Sequence, residues 1–591
     1  MLPSIIKSTT VFLVILTGVA MCGCGGGGAT SSPSQPTITL SGVATYGTTY
    51  GLSYAIAGTG DFILLANGRG FTPTSTLEWN GSPLSTTYGD SADLSATISS
   101  SLIAAPGSVS ITVKDTASGS VSNAMSFGIA SPATATAGVV QLVTIGTDGT
   151  PGNDDSLVAP SISATGRFIA FQSAATNLVS GPASGFQEIY ERDTCIGATG
   201  ACTPSTTRIS VTFDGSSVNG HSRDSAISSD GRYVAFDSDA TNILPICGST
   251  ACIYLRDTCI GAGASCAPST IAVSLDFSGK PIPGGVPSIT PEGRFVVFAS
   301  AGSGVSAPDT SGVVNVFQRD TCIGAPLGCA PSTSLISQST GGTSANGKSV
   351  PQVITPTGRF VAFQSWASNL VPEYSGQAPA DFVRDTCLGA SAGCSPSTYQ
   401  VDLSSSGALP NGPVFNLESP AISPNGRLIA FSSGATNLVS ANAGAGDVYV
   451  RDTCIGSVTG CTVSTSLVSV ANDGSIENCG SDTPTMSASG RFVAFESIAT
   501  NLVPGDTFPE CSFKEVYVRD TCFGAAKGCS QSTVKVSVGN ASYPAAQANQ
   551  FSWYPAMSAD GHYIVFLSNA TNFLPNSGNG HNMVFLARTG F

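Results

Sequence analysis

The chain has 591 residues, enough for more than one domain, and only 10% of them are charged. A net charge of −14 without any cluster of Lys and Arg excludes a nucleic-acid-binding surface, which needs grouped cations against phosphate. Gly, Ser, Thr and Ala abound and long amphipathic helical patterns are missing, a composition that suits an all-β protein with many turns.

The first element in chain order is an export signal. Lys7 precedes an apolar run from Val11 to Met21, too short to span a membrane. Cys22, Gly23 and Cys24 follow, and then Gly25 to Gly28. This stretch resembles the lipobox of bacterial lipoproteins. The small Gly23 before Cys24 favours Cys24 as the lipidated residue, with 1–23 as the signal peptide; a plain cleaved signal is the alternative. Residues 24–36 read as a flexible tether.

Residues 37–130 carry short alternating runs, such as Phe62 to Leu65, Ser75 to Trp79, Leu94 to Ile98 and Val109 to Val113. Asn80-Gly81 and Pro106-Gly107 punctuate them, which is the pattern of a small β-sandwich. The stretches Gly68-Arg69-Gly70-Phe71-Thr72-Pro73, Leu77-Glu78-Trp79-Asn80-Gly81 and Ser122-Asn123 leading to Phe127 resemble the IPT/TIG family of immunoglobulin-like domains. The resemblance implies an extracellular spacer or adhesion module. Trp79 reads either as a core anchor or as a ligand platform.

After a linker at 131–138, one unit recurs through residues 139–591. Its core is Ser or Thr, two variable residues, Gly, usually Arg, then an apolar run ending in Phe. The turn glycines are Gly166, Gly231, Gly293, Gly358, Gly426, Gly490 and Gly561, spaced by 62 to 71 residues. Each unit reads as four strands, A to D; in the first copy these are Pro160 to Ile162, Arg167 to Gln172, Glu188 to Glu191 and Thr207 to Val211. Four antiparallel strands at a fixed period describe a propeller blade. Val140 to Thr144 matches strand D, and the last copy ends in strand C at Met583 to Leu586. The expected fold is therefore all-β: a sandwich followed by a seven-bladed β-propeller whose first strand completes the last blade. The repeat resembles the WD-like units of TolB-like propellers, a resemblance that speaks to fold more than to function.

Six copies carry Arg-Asp-Thr-Cys with a second Cys seven residues on: Cys195/Cys202, Cys259/Cys266, Cys322/Cys329, Cys387/Cys394, Cys454/Cys461 and Cys522/Cys529. In an exported chain these read as disulfides; zinc, the rival, lacks a nearby His at every pair. Cys247 with Cys252 and Cys479 with Cys511 complete the pairing. Arg167, Arg232, Arg294, Arg359, Arg427 and Arg491 open strand B, and Asp193, Asp257, Asp320, Asp385, Asp452 and Asp520 close strand C. Antiparallel pairing brings these ends together, so six Arg–Asp bridges are expected. His562 and Arg588 take these places in the seventh copy. An Asn follows strand B at Asn177, Asn242, Asn369, Asn437, Asn501 and Asn572, with Gly304 in the third copy. Asn and Gly enter left-handed backbone space cheaply, so this position is expected to be a turn device.

Chemistry-bearing patterns are sparse. The three His residues, His221, His562 and His581, lie outside any nucleophile elbow or metalloprotease motif. Only Pro504-Gly505-Asp506-Thr507 retains an acidic, glycine-rich loop of calcium-binding character, too few oxygens for a site. No metal, cofactor or catalytic residue is implied. The variable D–A and B–C loops emerge on one face, the usual layout of a binding surface. Trp366, Trp553, Tyr554, His221, Asp154 and Asp155 are its candidate ligand contacts, with Phe551 a further large aromatic of these loops. The expected function is a lipid-anchored, non-catalytic binding or scaffold protein of the bacterial envelope, at the outer membrane or cell surface. Its partner would be an envelope protein or glycan. The alternative is a secreted hydrolase of glycan or peptide with acids in the propeller funnel.

Overall fold

In the computed structural model, the described residues are 38–591 apart from 47–53, 57–61, 92, 105–106, 131–139, 199–201, 264, 303–304, 306–311, 326–327, 377, 391–392, 413–419, 441–445, 456–459, 507–508, 510, 526–527, 539–547 and 575–579. The export signal, Cys24, the tether, the linker and Gly304 lie outside them.

Two sheets occupy the N-terminal part. One orders its strands Thr39–Tyr46, Phe62–Arg69, Asp93–Ile98 and Thr86–Tyr88; the other orders Tyr54–Ile56, Met125–Ala130, Gly107–Asp115, Ser75–Trp79 and Ser82–Pro83. They share one core, which includes Leu64, Leu77, Ile98, Ile111 and Phe127. The alternation seen in the sequence is what allows each strand to send every second residue inward. Trp79 is 5% exposed and its ring centroid lies 5.7 Å from that of Phe127, so it is a core anchor.

From Val140 to Arg588 the chain forms seven four-stranded antiparallel sheets, a propeller-like arrangement. The first repeat pairs Ser161–Ile162, Phe168–Ser173, Glu188–Asp193 and Ser205–Arg208 in that order. Strand D thus lies earlier than Thr207 to Val211. The amides of Ile209 and Val211 turn back to the carbonyls of Ile189 and Ile209, which takes the chain off the ladder after Arg208. Strand B is buried along its whole length in most repeats, as a strand covered on both faces must be. Val140–Leu142 pairs with Met583–Arg588, so the last sheet takes its fourth strand from the start of the segment.

Neighbouring sheets are joined by recurring devices. The Thr of strand D donates to a carbonyl after strand D of the preceding sheet: Thr206 Oγ1 to Ile145 O at 2.7 Å, Thr333 Oγ1 to Leu275 O at 2.8 Å and Thr533 Oγ1 to Val470 O at 2.8 Å. The Arg before the strand-C Asp adds to this seam in three repeats: Arg384 Nη1 donates to Ser339 O at 3.2 Å, Arg451 Nη1 to Leu403 O at 2.9 Å and Arg519 Nη1 to Val470 O at 3.1 Å. The A strands also touch in succession, including Ser161–Ile162 against Ser552–Met557.

Candidate functional site

The regular residues are structural. Each of the six Arg–Asp pairs is two-pronged; in the first, Arg167 Nε and Nη2 donate to Asp193 Oδ1 and Oδ2 at 2.9 and 2.8 Å. Asp193 Oδ1 also accepts the Cys195 amide at 2.8 Å, and the same contact recurs at the other five Asp residues. The ion pair therefore anchors the hairpin that its disulfide closes. In the seventh repeat Arg588 instead donates to the Tyr563 hydroxyl at 2.6 Å.

All eight cysteine pairs are disulfides. Cys195–Cys202, Cys259–Cys266, Cys322–Cys329, Cys387–Cys394, Cys454–Cys461 and Cys522–Cys529 close the hairpins, and Cys247–Cys252 closes a shorter ring. Cys479–Cys511 joins two loops with a Cα–Cα distance of 5.6 Å. Cys529 forms the disulfide that its spacing implies, and it also touches the ion pair of its hairpin, as Cys202, Cys266, Cys394 and Cys461 do in theirs. Its sulfur accepts from Arg491 Nη2 at 3.7 Å and lies 3.8 Å from Asp520 Oδ2, against the ion pair of its own hairpin. The fold of the hairpin brings Asp520, Cys522 and Cys529 together, and the equivalent Asp-Cys-Cys clusters of other repeats have ligand-type atoms within 4.8 Å of one another. Their sulfurs are bonded to each other and so unavailable as thiolate ligands for zinc. Disulfides persist in oxidising compartments and mark an exported protein. No helix among the described residues is long and apolar enough to cross a membrane.

The Asn after strand B works differently from the expected turn device. None of these Asn residues has positive φ; the first cysteine of each hairpin does, Cys195 at 61° for example. Asn177 Oδ1 accepts the Asn153 amide at 3.0 Å, and Asn177 Nδ2 donates to Pro151 O at 2.8 Å. Asn153 in turn bonds Thr176 through both ends of its amide. The pairs Asn219/Asn242, Asn346/Asn369, Asn411/Asn437, Asn478/Asn501 and Asn549/Asn572 repeat this clip between the D–A and B–C loops.

The candidate contacts fall in different repeats, each with its own partners. Asp155 Oδ1 accepts the Asn582 amide at 2.7 Å and lies 3.4 Å from His581 Nδ1, with Asp154 at 3.9 Å, so both acids border the junction of the first and seventh repeats. His221 Nδ1 accepts the Gln187 amide at 3.2 Å, and its ring stands edge-on to Phe186 at 5.2 Å. Trp366 is half-buried with the Lys348 ammonium 5.6 Å from its ring centroid. Trp553 packs in part against the core containing Tyr563, Val565 and Leu567. The Asp506 side chain is 2% exposed and ion-paired to Lys535 at 2.7 Å.

Tyr554 is set apart by its backbone. It sits at φ 54° in the A strand of the seventh repeat and is 40% exposed. Asp224, Val286 and Thr483, at 47°, 54° and 51°, are its counterparts in other repeats. Each falls inside an interruption of A–B pairing, between Arg223 and Ala226, Gly285 and Ser288, Asp482 and Thr485, and Trp553 and Ala556. These are β-bulges, which re-aim side chains. A residue with a Cβ in this conformation costs about 1 kcal/mol or more, and most for β-branched Val286 and Thr483. Three of the four precede proline, at Pro287, Pro484 and Pro555. Proline inside a strand marks a bulge, and that signal was legible in the sequence.

The bulge at Tyr554 is held from the neighbouring sheet. The Tyr554 amide donates to Glu496 Oε2 at 2.8 Å. Glu496 also contacts the Lys514 ammonium, which lies 3.0 Å from Asp482 Oδ2. Burial and Asp482 push the Glu496 carboxyl up to about 8, against the pull of Lys514. Burial opposes the Lys514 charge, but Glu496 and then Asp482 more than offset it and hold the ammonium charged. Phe551, 39% exposed, stacks obliquely on Phe513 with centroids 5.1 Å apart. Tyr554 and Phe551 are thus two exposed rings of the same strand region, with the Tyr554 backbone bonded to this ionic cluster.

The equivalent place in the second repeat holds Asp224 and Asp237. Burial pushes both carboxyls up, Asp237 to about 7 with the charge of Asp224 adding to it. Arg223 pairs with Asp239 beside them at 3.2 Å. Asp224 reads from the sequence as one more acid of the D–A loops, and the structure places it in strand A; Asp237, Asp482, Glu496 and Lys514 were not singled out, because single charges in divergent strands carry no periodic signal.

No family model matches the chain, and no curated protein matches it either. Solved structures of similar outline include an oligogalacturonate lyase from Vibrio parahaemolyticus, 11% identical with a TM-score of 0.40, covering 77% of this chain and 98% of that one. A putative phosphatase from Bacteroides thetaiotaomicron is 10% identical with a TM-score of 0.35, covering 94% and 98%. An auxiliary nutrient binding protein from Bacteroides ovatus is 10% identical with a TM-score of 0.25, covering 80% and 96%. At these values none of the three bears on activity or ligand.

Proposed function

We propose that this is an exported, non-catalytic binding protein of the bacterial envelope, tethered through a lipid on Cys24, which takes up a glycan or a peptide on the aromatic patch of its seventh repeat. An immunoglobulin-like domain over 37–130 spaces the binding unit from the membrane. The seven sheets over 139–591 are the blades of one closed propeller. The successive contacts of the A strands and the pairing of Val140–Leu142 with Met583–Arg588 support that reading. With A strands innermost, the bulges face the axis at the end where the D–A and B–C loops emerge.

The observation that carries the proposal is Tyr554: an exposed tyrosine in a costly backbone conformation, fixed by a buried carboxyl group of the neighbouring sheet. Aromatic faces beside hydrogen-bonding groups suit the apolar faces of sugars and peptide side chains. The acids nearby favour binding over hydrolysis. Glycoside chemistry needs two carboxyls that reach the scissile bond, whereas Glu496 is buried and both it and Asp482 are engaged by Lys514. The test is a binding screen of the purified chain against immobilised oligosaccharides and peptides, repeated with Tyr554→Ala and Phe551→Ala. Retention by the wild type that both variants lose supports the reading; turnover of a retained sugar would replace it with the hydrolase reading.

A further inference from the structure

In the sixth repeat three charged side chains meet inside the protein. Lys535 Nζ lies 2.7 Å from Asp506 Oδ2 and 3.9 Å from Glu515 Oε1, and the three side chains are 6%, 2% and 1% exposed. Lys535 is on strand D opposite Tyr517 of strand C, Glu515 opens strand C, and Asp506 comes from the B–C loop. The Tyr517 hydroxyl donates to Asp506 Oδ2 at 3.0 Å, and Nζ stands 5.5 Å from the Tyr517 ring centroid. One oxygen of Glu515 accepts the Ser537 hydroxyl, and the other, Oε1, has no hydrogen-bond partner among the described residues.

Two acids and one base in a dry interior leave one negative charge too many. Burial settles it by pushing the Glu515 carboxyl up to about 8, against the pull of Lys535 and Ser537, so that Glu515 carries a proton at neutral pH. An amine and a carboxyl are then held in contact, out of water, beside a neutral acid. Fixing two reactants in this way is equivalent to an effective concentration of about 10⁵ M or more. Excluding water also removes the species that would hydrolyse the product.

We propose that Lys535 and Asp506 are joined by an intramolecular amide, with Glu515 as the proton carrier. Nζ attacks Cγ of Asp506, the Nζ–Cγ bond forms and a Cγ–O bond breaks. The ammonium gives up two protons, relayed through Glu515 to the departing oxygen, which leaves as water. The positive and negative charges of the pair cancel, Glu515 ends protonated as it began, and no oxidant or cofactor is needed. The first repeat is the internal contrast: Arg208 stands opposite Tyr190 and pairs with Glu188 at 3.1 Å, and a delocalised guanidinium is a poor nucleophile. The amide would fasten the B–C loop, already tied by Cys479–Cys511, to the outermost strand of its sheet.

The test is peptide mapping of the full chain, reduced, alkylated and digested with trypsin. The amide predicts a branched peptide containing both Asp506 and Lys535, lighter by one water than its two parts, with no cleavage after Lys535. Separate linear peptides with cleavage after Lys535 would overturn it. Glu515→Gln keeps size and the Ser537 contact; it is expected to melt cooperatively with disulfides intact and to yield the two peptides unlinked. A branched peptide in that variant would overturn the role given to Glu515. Lys535→Met, which keeps an unbranched buried chain, supplies the unlinked reference mass.

Discussion

Tyr563 covers the turn at Gly166 so closely that a Cβ on that glycine would lie 2.7 Å from the ring. The two residues belong to the last and first repeats, and the same contact links every adjacent pair: Phe168 covers Gly231, Tyr233 covers Gly293, Phe295 covers Gly358, Phe360 covers Gly426, Leu428 covers Gly490 and Phe492 covers Gly561. The first residue of strand B in one repeat is thus the cap on the A–B turn of the next, and Gly166 with Tyr563 returns the series to its start.

Gly166→Ala should therefore cost more than an alanine at an open left-handed glycine. Gly166 has φ 80° and no room; Gly215 has φ 83° and nothing within 4 Å of the added Cβ. Gly215→Ala should cost about 1 kcal/mol from backbone strain alone, and Gly166→Ala roughly 2–4 kcal/mol once the ring must move. Chemical denaturation of the two variants checks the order.

Replacing Cys454 and Cys461 together by Ser should cost roughly 2.5 kcal/mol by loop-closure entropy, and replacing Cys479 and Cys511 roughly 3.7 kcal/mol, because the second ring is longer. Denaturation under non-reducing conditions compares them. Equal costs would show that strain or residual denatured structure outweighs loop length.

Asn437→Gly should destabilise as much as Asn437→Ala, by about 1–2 kcal/mol, since the residue acts through its side-chain amide on Asn411 and Leu409 and has no positive φ. A glycine that restored stability would return the position to a conformational role.

Glu191 supplies a pH test. Burial, then the charges of Asp193 and Asp230, push its carboxyl up to about 8. A folded value above the unfolded one means the stabilising contribution is complete below about pH 4.5 and is lost as pH rises through about 8. The wild type should lose on the order of a few kcal/mol between pH 5 and 9 from this group, and Glu191→Gln should flatten that slope. The third repeat has Gln318 at this place, with Nε2 donating to Gly358 O at 3.2 Å, so glutamine fits. Thermal melts across the range decide it.

Much of the scaffold was legible in the sequence because it recurs. The turn glycines, the Arg–Asp pairs and the cysteine hairpins each stand at one place in the unit, and the spacing alone placed them in space. The spacing that paired Cys522 with Cys529 did not show the contact of Cys529 with Arg491, which depends on how the hairpin folds back over strand B. The Asn clip was legible only by half. Asn177 stood out because it follows strand B, while its partner Asn153 sits in a loop of variable length, where the eye does not carry a register. The Tyr554 site was harder still. Trp553 and Tyr554 were noticed as aromatics, but what distinguishes Tyr554 is a bulge and a carboxyl group from another repeat, and a contact between positions 58 residues apart has no local signature. Asp506 was noticed as a loop acid, but its meeting with Lys535 and Glu515 was hidden for the same reason.

The central claim is that the exposed rings of the seventh repeat bind ligand. Its most direct measurement is the equilibrium affinity of the wild type and of Tyr554→Ala for the oligosaccharide or peptide retained in the screen, with the melting temperature of each recorded alongside. The account predicts that Kd rises by about tenfold or more, a loss of roughly 1.4 kcal/mol, while the fold holds. An unchanged Kd in a folded Tyr554→Ala variant would contradict it.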